Sequence, residues 1–231
     1  MSTTSAGHAV APDATDPAAR SALGLAEATR GAPLDAIAEL AAGCRGCDLW
    51  ARATQTVFGQ GPWPAPLMLV GEQPGDREDV EGTPFVGPAG QLLDRALGEA
   101  GVDREKVFIT NVVKHFKWRP GGKRRLHEKP NKVEVAACHP WLEAELALVR
   151  PEALVCLGAT AADALLGPKV RVSQLALTPV ESPLAPLVLA TLHPSAILRA
   201  PDGEGREVGF ARLVGDLRLV SDRLGPSVRA S

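Results

Sequence analysis

Short apolar runs alternate along the chain with longer stretches whose apolar residues recur at helical spacing. The runs Leu67–Val70, Val107–Thr110, Ala153–Leu157 and Leu187–Thr191 are continuous, as strands buried on both faces require. Between them Ala89–Ala100, Lys132–Val149 and Ala159–Leu166 read as amphipathic helices, and a last helix covers roughly Arg206–Arg223. This order predicts an α/β fold, a three-layer α/β/α sandwich around a central four-stranded parallel sheet. Upstream, Leu34–Leu40 has helical spacing and stops near Gly43, just before the pair Cys44 and Cys47.

Residues 1–32 are rich in Ala, Thr, Pro and Gly without a periodic apolar face, and are expected to form a disordered leader. One domain is expected over 33–224, with a flexible tail over 225–231. A chain of 231 residues with 45% hydrophobic content supports one substantial core and falls short of two.

The formal net charge of −2 gives no general electrostatic case for nucleic-acid binding, so any such contact must come from a local patch. One exists. From Lys114 to Lys132, the cations Lys117, Arg119, Lys123, Arg124, Arg125 and Lys129 are set against only Glu128. Such a run is either a solvated face or a phosphate-binding strip. No apolar run is long enough to span a membrane and the N-terminus lacks the layout of a secretory signal, so a cytoplasmic protein is expected. In a reducing compartment Cys44, Cys47, Cys138 and Cys156 read as free thiols or metal ligands rather than disulfides. Richness in Ala, Arg and Gly fits a GC-rich bacterial source.

In an open α/β sheet the loops at the carboxyl ends of the strands build the ligand site. Here those ends carry Gly71-Glu72-Gln73-Pro74-Gly75-Asp76, then Asn111, then Gly158, then His193-Pro194-Ser195. The first of these loops, with Gly82-Thr83-Pro84-Phe85-Val86-Gly87-Pro88-Ala89-Gly90 after it, closely resembles the first signature of the iron–sulfur uracil-DNA glycosylases. Ile109–Lys114 and His193–Arg199 resemble the other two signatures, and with the CxxC the resemblance covers roughly Leu34 to Arg223 in family order. It implies the uracil-DNA glycosylase fold and excision of uracil. The implied partners are uracil-containing DNA, single strands included, and the freed uracil, handled by a monomer.

The residue types suit that chemistry. A side-chain amide at Asn111 can donate to uracil O4 and accept from N3–H, whereas cytosine presents the opposite pattern. A flipped base needs a flat apolar platform, and Phe85, one of five phenylalanines, sits in a Gly/Pro-rich loop where core packing is not the obvious explanation. Gly71 opens the first strand-end loop, and the resemblance implies that it too belongs to the uracil-binding residues. Breaking the N-glycosidic bond develops positive charge on the sugar and negative charge on uracil. Glu72 and Asp76 are candidates for the first charge, and His193 for a donor near uracil O2. Ser195 and Arg199 are candidates for DNA contacts.

The stretch Gly121-Gly122-Lys123-Arg124-Arg125-Leu126-His127 departs from ordinary members of the family. It resembles the loop of a subgroup known as UdgX, in which a histidine becomes covalently joined to the sugar after uracil is removed. Gln73 also belongs to that subgroup's version of the first signature. Glycines permit unusual backbone angles, Lys123, Arg124 and Arg125 can grip phosphates, and a neutral imidazole is a competent nucleophile near neutral pH. The expectation is that His127 attacks the sugar C1′ and that Glu72 orients it and helps remove its ring proton.

Spacing alone does not choose between zinc and an iron–sulfur cluster for a CxxC pair. The resemblance implies a 4Fe-4S cluster. Related glycosylases carry a third ligand Cys soon after the Thr-Asn-x-Val-Lys string, where this chain has His115. Cys156 lies within a continuous apolar strand and reads as a small buried hydrophobe. The expected ligands are Cys44, Cys47, His115 and Cys138, which bracket the Gly121–His127 segment. Two other readings stand beside covalent capture: a conventional glycosylase that turns over, and a non-catalytic cluster-bearing DNA sensor.

Overall fold

Strands with no polar interruption need cover on both faces, and the computed structural model, which describes residues 32–229, supplies it. After helix α1 (Leu34–Ala42) come β1 (Leu67–Gly71), α2 (Asp76–Glu81), α3 (Pro88–Glu99) and β2 (Val107–Asn111). A hairpin of β3 (Trp118–Gly121) and β4 (Arg124–His127) leads into α4 (Lys132–Val149), β5 (Ala153–Leu157) and α5 (Ala159–Leu166). The chain finishes with β6 (Leu187–Thr191), α6 (Pro194–Leu198) and α7 (Gly203–Leu224). The main sheet is four-stranded and parallel, as the sequence pattern predicts, and its strands lie in the order β2-β1-β5-β6.

Alternate residues of each strand enter opposite cores. Met68, Val70, Phe108, Leu154, Cys156, Val188 and Ala190 pack with Ile37 of α1, Trp141 and Leu142 of α4 and Ala161 and Ala162 of α5. Leu67, Leu69, Val107, Ile109, Val155, Leu157 and Leu189 pack with Leu93 and Leu97 of α3, Ile197 of α6 and Leu213 and Leu217 of α7. Cys156 is fully buried in the first core, and burial pushes its thiol up to about 12. The parallel register aligns the strand ends: Gly71 lies opposite Asn111, and Leu157 opposite Thr191.

A capping box starts α4, with Glu134 N donating to Asn131 Oδ1 at 2.9 Å and Asn131 N donating to Glu134 Oε2 at 2.7 Å. Among the described residues no helix is long and apolar enough to cross a membrane.

The Gly121–His127 segment, read from the sequence as a loop, is half of a hairpin: Trp118 pairs with His127 and Gly121 with Arg124, and Gly122, at φ 63°, turns the hairpin between them. The tail expected from residue 225 is packed through 229, because Val228 is fully buried and its carbonyl accepts from Asp103 N at 2.7 Å. The proposed leader lies outside the described residues, apart from Ala32.

Candidate active site

The aligned ends of β1, β2, β5 and β6 open into two adjoining chambers. The inner one, about 130 Å³, is lined by Gln73, Gly75, Glu78, Phe85, Ala89 and Asn111, and the outer one, about 310 Å³, by Glu72, Lys129, Gly158, Thr160, Val172 and Ser173 among others. Gln73, His127, His193, Ser195 and Arg199 line both.

Asn111 is buried at the end of β2, and its Oδ1 has no hydrogen-bond partner. A buried acceptor left without a donor is costly unless a ligand supplies one. Gly71 makes room for it, since a Cβ there would meet Asn111 Oδ1 and come within 2.6 Å of Phe85 Cζ. Phe85 stands at φ 57°, a strained backbone for a bulky residue. Its ring centroid lies 5.8 Å from that of His193.

His193 caps α6. Its Nδ1 accepts from Ser195 N at 3.1 Å and lies 2.8 Å from Ser195 Oγ. A backbone N–H only donates, so Nδ1 carries no proton and the neutral ring must carry its hydrogen on Nε2. That Nε2 is buried and unpartnered. Burial of the ring lowers its pKa to about 4, against a smaller opposing pull from Glu72, so the ring is neutral at physiological pH. The inner chamber therefore offers a flat ring, an unpartnered carbonyl oxygen on Asn111 and an unpartnered N–H on His193.

On the outer side, Glu72 Oε1 lies 3.3 Å from His127 Nε2, and Oε2 accepts from Thr160 Oγ1. Burial opposes ionisation of Glu72, but hydrogen bonds from His127 and Thr160 and the nearby histidines outweigh it and hold the carboxyl below its ordinary value.

Gln73 braces the hairpin that carries His127. Its Nε2 donates to the carbonyls of Lys117 at 3.2 Å and Glu128 at 3.0 Å, and its Oε1 accepts from Lys117 N at 3.2 Å.

Not every expected residue comes together here. Asp76 lines neither chamber and instead binds Arg125, with 2.6 Å between Oδ1 and Nε. Arg125 is turned inward: its NH1 also meets buried Asp79 at 2.5 Å, and its guanidinium stacks over Phe116 at 5.4 Å. That guanidinium holds the hairpin down and is not free to meet a phosphate, whereas Lys123, Arg124 and Arg199 are exposed.

Two residues outside the sequence expectations stand in the site. Buried Glu78 accepts from Gly75 N at 3.1 Å and Gly87 N at 2.8 Å, tying the Glu72 loop to the Phe85 loop. Its place three residues after the N-cap Gly75 lets the carboxylate reach back to Gly75 N, one half of a capping box, since glycine has no side chain to complete the other half. Thr160 follows the strand-end Gly158 by two residues, so the strand-end rule that selected Asn111 also points to it.

Cys44 and Cys47 follow α1, and Cys138 is buried in α4. Each sulfur receives an N–H: Trp141 Nε1 to Cys44 at 3.3 Å, Lys114 N to Cys138 at 3.2 Å, and the Leu49 backbone to Cys47. Such donors suit anionic sulfur. Burial drives the Cys138 thiol up to about 12, opposed by Lys114, so ionisation there needs a bound cation.

His115 Nε2 lies 2.9 Å from Thr56 Oγ1, whose proton goes to Ala41 O at 3.0 Å. His115 therefore donates from Nε2 and keeps a free lone pair on Nδ1, as a ligating imidazole does. Among the described residues no three His, Cys, Asp or Glu side chains converge tightly enough to hold a single metal ion.

The family model for the uracil DNA glycosylase superfamily matches residues 58–218, which include every residue lining the two chambers. The chain belongs to the uracil-DNA glycosylase superfamily. It is 37% identical over 181 residues to the type-4 uracil-DNA glycosylase of Thermotoga maritima, covering 78% of this chain and 91% of that protein. The type-4 enzyme of Pyrobaculum aerophilum is 38% identical over 179 residues, covering 73% and 86%. That of Saccharolobus solfataricus is 43% identical over 126 residues, covering 54% and 55%. The superfamily match thus falls on the fold whose strand ends form the two chambers.

Proposed function

We propose that this chain excises uracil from DNA and is then captured by its own product through a bond from His127 to C1′ of the abasic sugar. The observation that carries this reading is that His127 lines both chambers, between the base pocket and the Glu72 carboxylate.

In the inner chamber the flipped uracil stacks on Phe85, Asn111 pairs with O4 and N3–H, and His193 Nε2–H donates to O2 as charge develops there. The C1′–N1 bond breaks with its electron pair leaving on uracil. A ring nitrogen of His127 supplies the pair for the new N–C1′ bond, and the remaining ring proton passes to Glu72. Lys123, Arg124, Ser195 and Arg199 contact the DNA backbone, and single strands are substrates because their bases need no unpairing.

Cys44, Cys47, Cys138 and His115 are the ligands we assign to a 4Fe-4S cluster. When bound, it supplies a cross-link joining the end of α1, the segment after β2 and α4, on both sides of the hairpin in sequence. Iron and sulfide analysis with a visible spectrum tests this, and Cys156→Ser should leave the metal content unchanged.

Resemblance to type-4 enzymes favours a second reading, a glycosylase that turns over with His127 touching DNA. A single-stranded oligonucleotide carrying one uracil, run on a denaturing gel, separates the two. A shift that survives heat and detergent supports capture, and free abasic product with repeated turnover sinks it.

A further inference from the structure

Thr160 is a buried hydroxyl at the second position of α5, just after the Gly158 turn that leaves β5. Gly158 has φ 88°, and a Cβ there would come within 2.9 Å of His193 Cβ. Glycine at this point lets the turn lie against His193 and brings Thr160 to the wall of the outer chamber. A carboxylate only accepts, so the contact between Thr160 Oγ1 and Glu72 Oε2 fixes the hydroxyl as donor. Glu72 is thereby held at one oxygen while the other faces His127 at 3.3 Å.

We propose that Thr160 is a positioning residue for covalent capture: by holding Glu72 Oε2 it fixes the rotation of the carboxylate and turns Oε1 toward His127. This rests on the reading of His127 as nucleophile. The arrangement is a nucleophile, an acceptor and a third group that orients the acceptor. Packing alone does not account for the hydroxyl, because a valine of the same shape would fill the space.

The same bond helps keep Glu72 ionised. Against the cost of burial, hydrogen bonds from His127 and Thr160 hold its carboxyl below the ordinary value. The titratable and charged groups facing it are His127 on β4, His193 at the start of α6, and Lys129 and Arg199 across the chamber. Those groups remain when the hydroxyl is removed, so the change isolates one donor.

The test compares wild type, Thr160→Ser and Thr160→Val from pH 4 to 9, reading uracil release and heat-stable adduct separately at each pH, with melting temperature as a folding control. Loss of a charge-assisted hydrogen bond should slow adduct formation by Thr160→Val about 10- to 100-fold. The acid limb should move to higher pH, because a carboxylate without its donor protonates sooner. Thr160→Ser should restore both. In a Glu72→Gln background the valine change should add less than about twofold.

An unmoved acid limb in Thr160→Val, or equal slowing by serine and valine, would overturn the proposal. If wild type releases uracil without forming an adduct, capture itself has failed. The role of Thr160 in capture falls with it, and the acid limb of uracil release then tells only whether Thr160 positions Glu72: a shift to higher pH in the valine variant upholds that contact and no change refutes it.

Discussion

Glu72 Oε1 and His127 Nε2 lie 3.3 Å apart, joining the loop after β1 to the last residue of β4. The carboxylate sits below its ordinary range, so it is ionised across physiological pH and loses its charge only in acid. Glu72→Gln keeps the shape and removes the proton acceptor. We expect adduct formation to slow by about 100-fold, in the range of positioned acid–base groups, with its acid limb abolished. Single-turnover kinetics measured across pH check this. An unchanged acid limb in the glutamine variant would assign the titration to another group.

The inner chamber should be sensitive to a single added carbon. Gly71→Ala places a Cβ against Asn111 Oδ1 and Phe85, so uracil release should fall steeply while the fold persists. Asn111→Ala removes the pairing edge and should lower uracil release by about 100-fold or more, as sites built on hydrogen bonds to their substrate discriminate strongly. Chromatography of released base measures both.

Stability should fall in mild acid, partly through His193. The folded ring has a pKa of about 4 against an ordinary 6.5, so between these values the unfolded chain binds more protons and stability rises with pH. Lowering pH from 6.5 toward 4 therefore removes stability, with this contribution levelling off below about 4. Glu72 acts with the same sign at lower pH, since its depressed folded pKa gives stability that is lost as it protonates. Melting temperatures of wild type and His193→Gln across this window should converge toward acid.

Beneath the pocket, Lys114 Nζ meets Glu145 Oε2 at 2.7 Å and Asn111 O at 2.7 Å, and both charged side chains are buried. Removing one partner strands a buried charge, and Glu145→Leu should cost about 3–5 kcal/mol in urea unfolding. Replacing both, with Lys114→Met and Glu145→Leu, should recover part of that loss.

The sheet was legible because continuous apolar runs of four or five residues have few other homes in a chain of this length, and β5 and β6 match their expected bounds. The strand-end rule led to Glu72, Asn111 and His193. The hairpin was not legible. Its strands contain Trp118, Arg119 and Pro120 and then Arg124 and Arg125, a polar pattern whose pairing depends on distant anchors at Gln73, Asp76 and Asp79. Arg125 illustrates the difficulty: adjacent to exposed Arg124 and of the same type, it is committed to two carboxylates. Composition reports the charge of such a run, while tertiary contacts decide which cations remain free.

The identity of the residue joined to DNA separates capture by His127 from every other outcome. The protein is incubated with a uracil-containing single-stranded oligonucleotide, the adduct is digested with nuclease and trypsin, and the peptides are sequenced by mass spectrometry. A deoxyribose-derived mass is expected on His127, in the peptide that begins at Leu126, with no heat-stable adduct from His127→Ser. A modification on any other residue, or free abasic DNA released over many turnovers by the wild-type protein, would contradict capture by His127.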